Sequence, residues 1–181
     1  KEYRRQRQMC IRDRHIMYEL QIRAVGLVGN SPWVIVTHSL KDISAGGGHS
    51  CALQSNGAVV CWGGNNLGQL GDGIDNRERS MPVEVPGLGQ VSQVSAGNEH
   101  TCALLSNGTV KCWGSNVFGQ LGDGSPRNSV SPTLVQGIST AVQISSGGYH
   151  SCALLSDGSV YCWGSNVFGE LGDGTAINAQ S

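Results

Sequence analysis

Six of the seven cysteines in this chain of 181 residues stand in three pairs, Cys51/Cys61, Cys102/Cys112 and Cys152/Cys162, each ten residues apart. His49, His100 and His150 each lie two positions ahead of a pair. Three chemistries use such residues: thiolate and imidazole can hold a metal, histidine can activate a nucleophile, and two thiols can close a disulfide. Spacing separates them. No Cys-x-x-Cys occurs and no fourth ligand stands at a usual distance, so no metal or other cofactor is expected. A catalytic triad needs one arrangement in one place, whereas each His, Ser, Trp and Asp of interest has counterparts in every copy of a repeated segment. What recurs is architecture, and the chain reads as non-enzymatic.

The elements that must position these residues are written three times. "HTCALLSNGTVKCWGSNVFGQLGDG" at 100–124 shares 20 of its 25 positions with 150–174 and 18 with 49–73. A repeat of about fifty residues is a structural unit stacked on its neighbours. Within each copy, "QVSQVSAG", "HTCALL" and "TVKCWG" are strand-like, and "SNG" between the last two is a hairpin turn, with Asn107 and Gly108 able to take positive φ. A three-residue loop, Ser106 to Gly108, places Cys102 opposite Cys112; a two-residue loop would instead face Cys102 with Trp113. Glycines 119, 122 and 124 then mark a tight loop, and "SMPVEV" (80–85), "SPTLV" (131–135) and "SPWVIV" (31–36) each place a proline at the entry of a further strand, which suits a sheet edge. Four strands per repeat is the arithmetic of a β-propeller blade.

Charge divides the chain. Residues 1–30 carry seven Lys and Arg against three acids, and 31–181 carry five against ten. The first thirty lack the apolar period of a helix and the apolar core of a signal peptide, so they read as a non-repeat leader, artefactual or disordered, and 31–181 as the repeat array. No apolar run approaches eighteen residues, so no transmembrane segment is expected in this chain. Nucleic acid is not expected as a partner, since a repeat region with a net charge of −5 lacks clustered cations for phosphate.

The combination G-x-x-H-x-C-A-L, S-x-G-x-V, C-W-G-x-N and G-Q-L-G-D-G over 31–181 resembles the repeat of the regulator of chromosome condensation family. The resemblance implies an all-β fold: a β-propeller of seven blades, each of four antiparallel strands. About three blades are present, so the chain is read as a partial array and a fragment whose end blades expose edges and apolar faces. It also implies a non-catalytic module that binds another protein, with guanine-nucleotide exchange on a small GTPase, the activity of the founding member, as the alternative. The plant ultraviolet-B photoreceptor of the family carries tryptophan beside the histidine; Gly47, Asn98 and Gly148 stand there instead.

Recurring residues are assigned to structure: His49, His100 and His150; Trp62, Trp113 and Trp163 as blade-packing aromatics; Asp72, Asp123 and Asp173 as acceptors for turn amides. The glycine-rich loop lacks the Gly-Lys-Ser/Thr ending of a phosphate site, and Ile74 stands where a calcium loop needs an oxygen. For the thiols, compact buried residues of a cytosolic protein and disulfides are the two readings. The opposed register favours disulfides, and with them an extracellular, periplasmic or cell-surface location over a cytoplasmic or nuclear one. Binding is assigned to what differs between copies: Glu99 and Tyr149, Lys111 and Tyr161, and Arg77, Arg79 and Arg127 in the loops after each GDG. Asn107-Gly108-Thr109 is a glycosylation sequon at a turn tip.

Overall fold

The computed structural model describes residues 39–180. The leader with Cys10 and the proline-led run at 31–36 lie outside the described residues. Among the described residues there is no helix; there are eleven strands in three antiparallel sheets. The first blade is β1 (Leu40–Ala45), β2 (His49–Gln54), β3 (Val59–Gly63) and β4 (Arg79–Glu84), paired in chain order. The second is β5 (Val91–Ala96), β6 (His100–Leu105), β7 (Val110–Gly114) and β8 (Ser129–Leu134), and the third is β9 (Ala141–Ser146), β10 (His150–Leu155) and β11 (Val160–Gly164). In the third blade the place of a fourth strand is marked by one bridge, Gly164 to Ala179, matching the pairs Gly63 to Arg79 and Gly114 to Ser129.

The hairpin register follows from its turn. Gly108 N donates to Leu105 O and Leu105 N to Thr109 O, which makes a three-residue loop with Gly108 at φ +82°. Asn107 does not use the positive φ open to it. Its side chain instead accepts from Thr109 N at 3.1 Å, an Asx turn that holds the loop without left-handed backbone. Counting inward from the bonded pair Leu105 and Thr109, every second pair is non-bonded, and Cys102 opposite Cys112 is one of these. Such pairs are the closest approach in an antiparallel ladder. The Cα atoms are 4.1 Å apart, and disulfides join Cys51–Cys61, Cys102–Cys112 and Cys152–Cys162, each within its own hairpin.

The prolines sit deeper than the sequence indicates. Pro82 and Pro132 are the fourth residues of β4 and β8, not their first. Both strands are outer edges, and the register slips between Cys61/Val83 and Gly63/Arg79, so three residues of β4 oppose Trp62 alone. Proline is tolerated there because a bulge on an edge asks for no ladder donor.

Each sheet has two different faces, and the core lies between blades. Cys51, Leu53, Val59, Cys61 and Leu70 of the first blade pack on Val94, Ala103 and Trp113 of the second. The same positions, Cys102, Leu104, Val110, Cys112 and Leu121, pack on Ile144, Ala153 and Trp163 of the third. A blade therefore buries its disulfide face against the tryptophan face of the next. The first strands lie side by side and are laced by side chains: Val94 N donates to Asp42 Oδ2, Ala96 N to Ser44 Oγ, and Ser146 N to Ser95 Oγ.

Candidate functional site

The histidines are built into the blade junctions. Thr101 Oγ1 donates to Gln69 O at 2.9 Å, so its lone pair faces His49 Nε2 at 2.7 Å and the imidazole must donate there. In the second junction His100 Nε2 and Ser151 Oγ make the corresponding contact at 2.8 Å. In both rings Nδ1 is buried with no hydrogen-bond partner among the described residues. Burial lowers the pKa of His49 to about 4; burial, with His49 and His150 nearby, lowers that of His100 to about 3. A neutral ring with an unpartnered nitrogen cannot serve as a base for bound substrate, because nothing reaches it. Gly97 closes the remaining side: a Cβ there would lie 2.2 Å from His100 Cε1 and 2.6 Å from Gly147 O.

The tryptophans complete the junctions. Trp113 and Trp163 are fully buried, and their Nε1 donates to Gln69 O and Gln120 O at 3.0 and 2.9 Å. Trp62 is half-buried. Replacing Trp113 by Ala is expected to destabilise the array by about 4 kcal/mol, from lost apolar burial and the cavity left behind. Urea unfolding followed by circular dichroism measures it, and a cost under about 1 kcal/mol would show that the site collapses freely.

The loop after each CWG is organised by an asparagine that sequence reasoning passed over. Asn65, Asn116 and Asn166 are fully buried. Asn116 Oδ1 accepts from Leu121 N, and its Nδ2 donates to Asp123 Oδ1 and Ser125 O. Asp123 in turn accepts from Ser125 N, as Asp72 does from Ile74 N and Asp173 from Thr175 N. The signal was present as the Asn of C-W-G-x-N, repeated in all three copies five residues ahead of the Leu whose amide it accepts.

The residues that differ between copies fall in two groups. His49 pairs with Gly63, so the β1–β2 and β3–β4 loops share one rim, which carries Glu99, Tyr149, Arg77 and Arg127. The two arginines are exposed, and Tyr149 stacks edge-on against Phe118 with centroids 5.4 Å apart. The other three are placed differently. Arg79 is held in an ion pair with Asp72, Lys111 Nζ donates to Gly87 O at 2.7 Å, and Tyr161 leans on Trp163 of its own strand. No group of three or more His, Cys, Asp or Glu among the described residues is arranged to hold a metal.

The sequence profile described as "Regulator of chromosome condensation (RCC1) repeat" matches residues 40–69, 91–120 and 141–170, and a second profile of that description matches 56–104 and 107–154. The chain belongs to the RCC1 repeat family. Over 95 residues it is 43% identical to the human probable E3 ubiquitin-protein ligase HERC3, a match covering 51% of this chain and 9% of that protein. Among solved structures, human WBSCR16 superposes with a TM-score of 0.72 at 25% identity, covering 80% of this chain and 39% of that one. Prp20p of Saccharomyces cerevisiae superposes at 0.70 with 22% identity, covering 78% and 37%. The RCC1 repeats here thus span about a tenth of the ligase and under two fifths of the yeast propeller. The matched part of the ligase is its repeat region. The solved structures show that these repeats fold as propeller blades.

Proposed function

We propose that these RCC1 repeats belong to a non-catalytic propeller that binds another protein through the rim of the β1–β2 and β3–β4 loops, outside the cytosol. One observation carries the reading: wherever two blades meet, the recurring His and Trp are consumed in the junction and the recurring Asp in turns, while Arg77, Glu99, Arg127 and Tyr149, which do not recur, stand on one rim. Phosphate backbones are poor partners for this array. It holds five Lys and Arg against ten acids, and two of the five, Arg79 and Lys111, are already engaged.

A photo-crosslinker placed at Arg127 is expected to trap a protein, and Arg127→Glu combined with Tyr149→Ala should weaken that complex about tenfold with unchanged melting. Equal crosslinking from Ser156, on the opposite rim, would overturn the assignment. The exchange alternative has its own readout: release of fluorescent GDP from a small GTPase, where no acceleration is expected.

A further inference from the structure

We propose that Asn107 is a site of N-linked glycosylation. Asn107-Gly108-Thr109 is the one N-x-S/T triplet in the 181 residues, and it forms the tip of the β6–β7 hairpin. Ser106 and Asn107 are exposed there. Thr109 Oγ1 donates to Asn107 Oδ1 at 2.7 Å and Thr109 N donates to the same oxygen at 3.1 Å. Both bonds fall on the carbonyl oxygen, which leaves Nδ2, the atom that must react, without a partner among the described residues.

The neighbouring blades show that the triplet is assembled only here. Asn56-Gly57-Ala58 has the same turn and the same amide bonded by Ala58 N at 3.0 Å, but no hydroxyl. Asp157-Gly158-Ser159 has the hydroxyl, donating to Asp157 Oδ1 at 2.6 Å, but a carboxylate in place of the amide. The second, independent observation is redox. Three disulfides persist only in an oxidising compartment, and in eukaryotic cells the secretory route is both oxidising and the place of N-linked transfer. The tip lies on the rim opposite Arg77, Arg127, Glu99 and Tyr149, so a glycan there leaves the proposed binding loops open.

The donor is an oligosaccharide linked through an N-acetylhexosamine to a polyprenyl diphosphate. Asn107 Nδ2 attacks the anomeric carbon; an N–C bond forms, and the C–O bond to the diphosphate breaks. The polyprenyl diphosphate leaves with the bonding pair, and one amide proton passes to a base of the transferase.

The test is peptide mapping of the full chain secreted from eukaryotic cells, before and after peptide N-glycosidase in heavy-oxygen water. The Asn107 peptide should appear only after the enzyme, with the heavy label at that residue. Asn107→Gln and Thr109→Ala should abolish the modification and Thr109→Ser should keep it, while Ala58→Thr should add a second glycan at Asn56. Non-reducing maps that still show three intra-hairpin disulfides establish that each variant has folded. An unmodified Asn107 peptide in secreted, disulfide-bonded chain overturns the proposal, as does a glycan that survives Thr109→Ala.

Discussion

Reduction of the three hairpin disulfides is expected to lower the unfolding free energy of the repeat array by about 8 kcal/mol, because closing a loop of ten residues contributes about 2.7 kcal/mol in the chain-entropy model. The three bridges act in separate blades, so their effects add as intrinsic terms of each blade. The strand signal in circular dichroism should persist at low denaturant. Cys51, Cys61, Cys102 and Cys112 are essentially fully buried and, as thiols, still pack as small apolar groups. Urea titrations with and without reductant measure the loss, and mapping of the non-reduced protein should find Cys51–Cys61, Cys102–Cys112 and Cys152–Cys162 alone. Links between repeats would refute the register. An unchanged urea midpoint after complete reduction would show that the bridges do not hold the array.

Acid is expected to destabilise the array in a window set by the junction histidines. An unfolded histidine titrates near 6.5, whereas folded His49 and His100 titrate at about 4 and about 3. Their folded values are depressed, so below pH 6.5 the unfolded chain binds more protons. Stability is full above that pH and falls as the pH drops toward the folded values. With two such groups the slope is about 2.7 kcal/mol per pH unit, or about 5 kcal/mol lost between pH 6.5 and 4.5. Three carboxylates act in the same direction but later. Asp157 is held low by the Ser159 hydroxyl, Glu170 by its own amide and Asp173 by the Thr175 amide, so their contributions fade only as those carboxylates protonate. Urea midpoints between pH 7 and pH 4.5 give the curve, and His100→Gln should remove about half of the slope. A flat profile would mean that the buried rings accept a proton without cost.

Short-range order was legible because it is local. Hairpin register depends on loop length and a period of two, both contained within the eleven residues from Cys102 to Cys112, so thiol pairing could be reasoned without coordinates once a loop length is chosen. The blade count and the edge position of β4 and β8 came from the same repeated pattern. The backbone of Asn107 stayed open because a side-chain bond to Thr109 N substitutes for a left-handed conformation, and the residue type permits either. Pro82 was misplaced because the bulge opposite Trp62 depends on how β3 and β4 pair across a fifteen-residue loop.

The contacts that give each recurring residue its role belong to another class. His49 meets Thr101 across 52 positions, and Trp113 meets Gln69 across 44. Nothing in either local segment encodes those partners; they meet because the disulfide face of one sheet buries apolar area against the tryptophan face of the next. The same packing sorted the variable residues, drawing Arg79 to Asp72 and Lys111 to Gly87 while leaving Arg77 and Arg127 in solvent. By itself, then, the sequence determined strands and turns and narrowed the hairpin register to two choices, of which the observed three-residue loop selects the one that pairs the thiols. Only the tertiary structure decided which histidines are dry and neutral and which charged side chains face outward, since burial is a property of the stacked blades and not of any one of them.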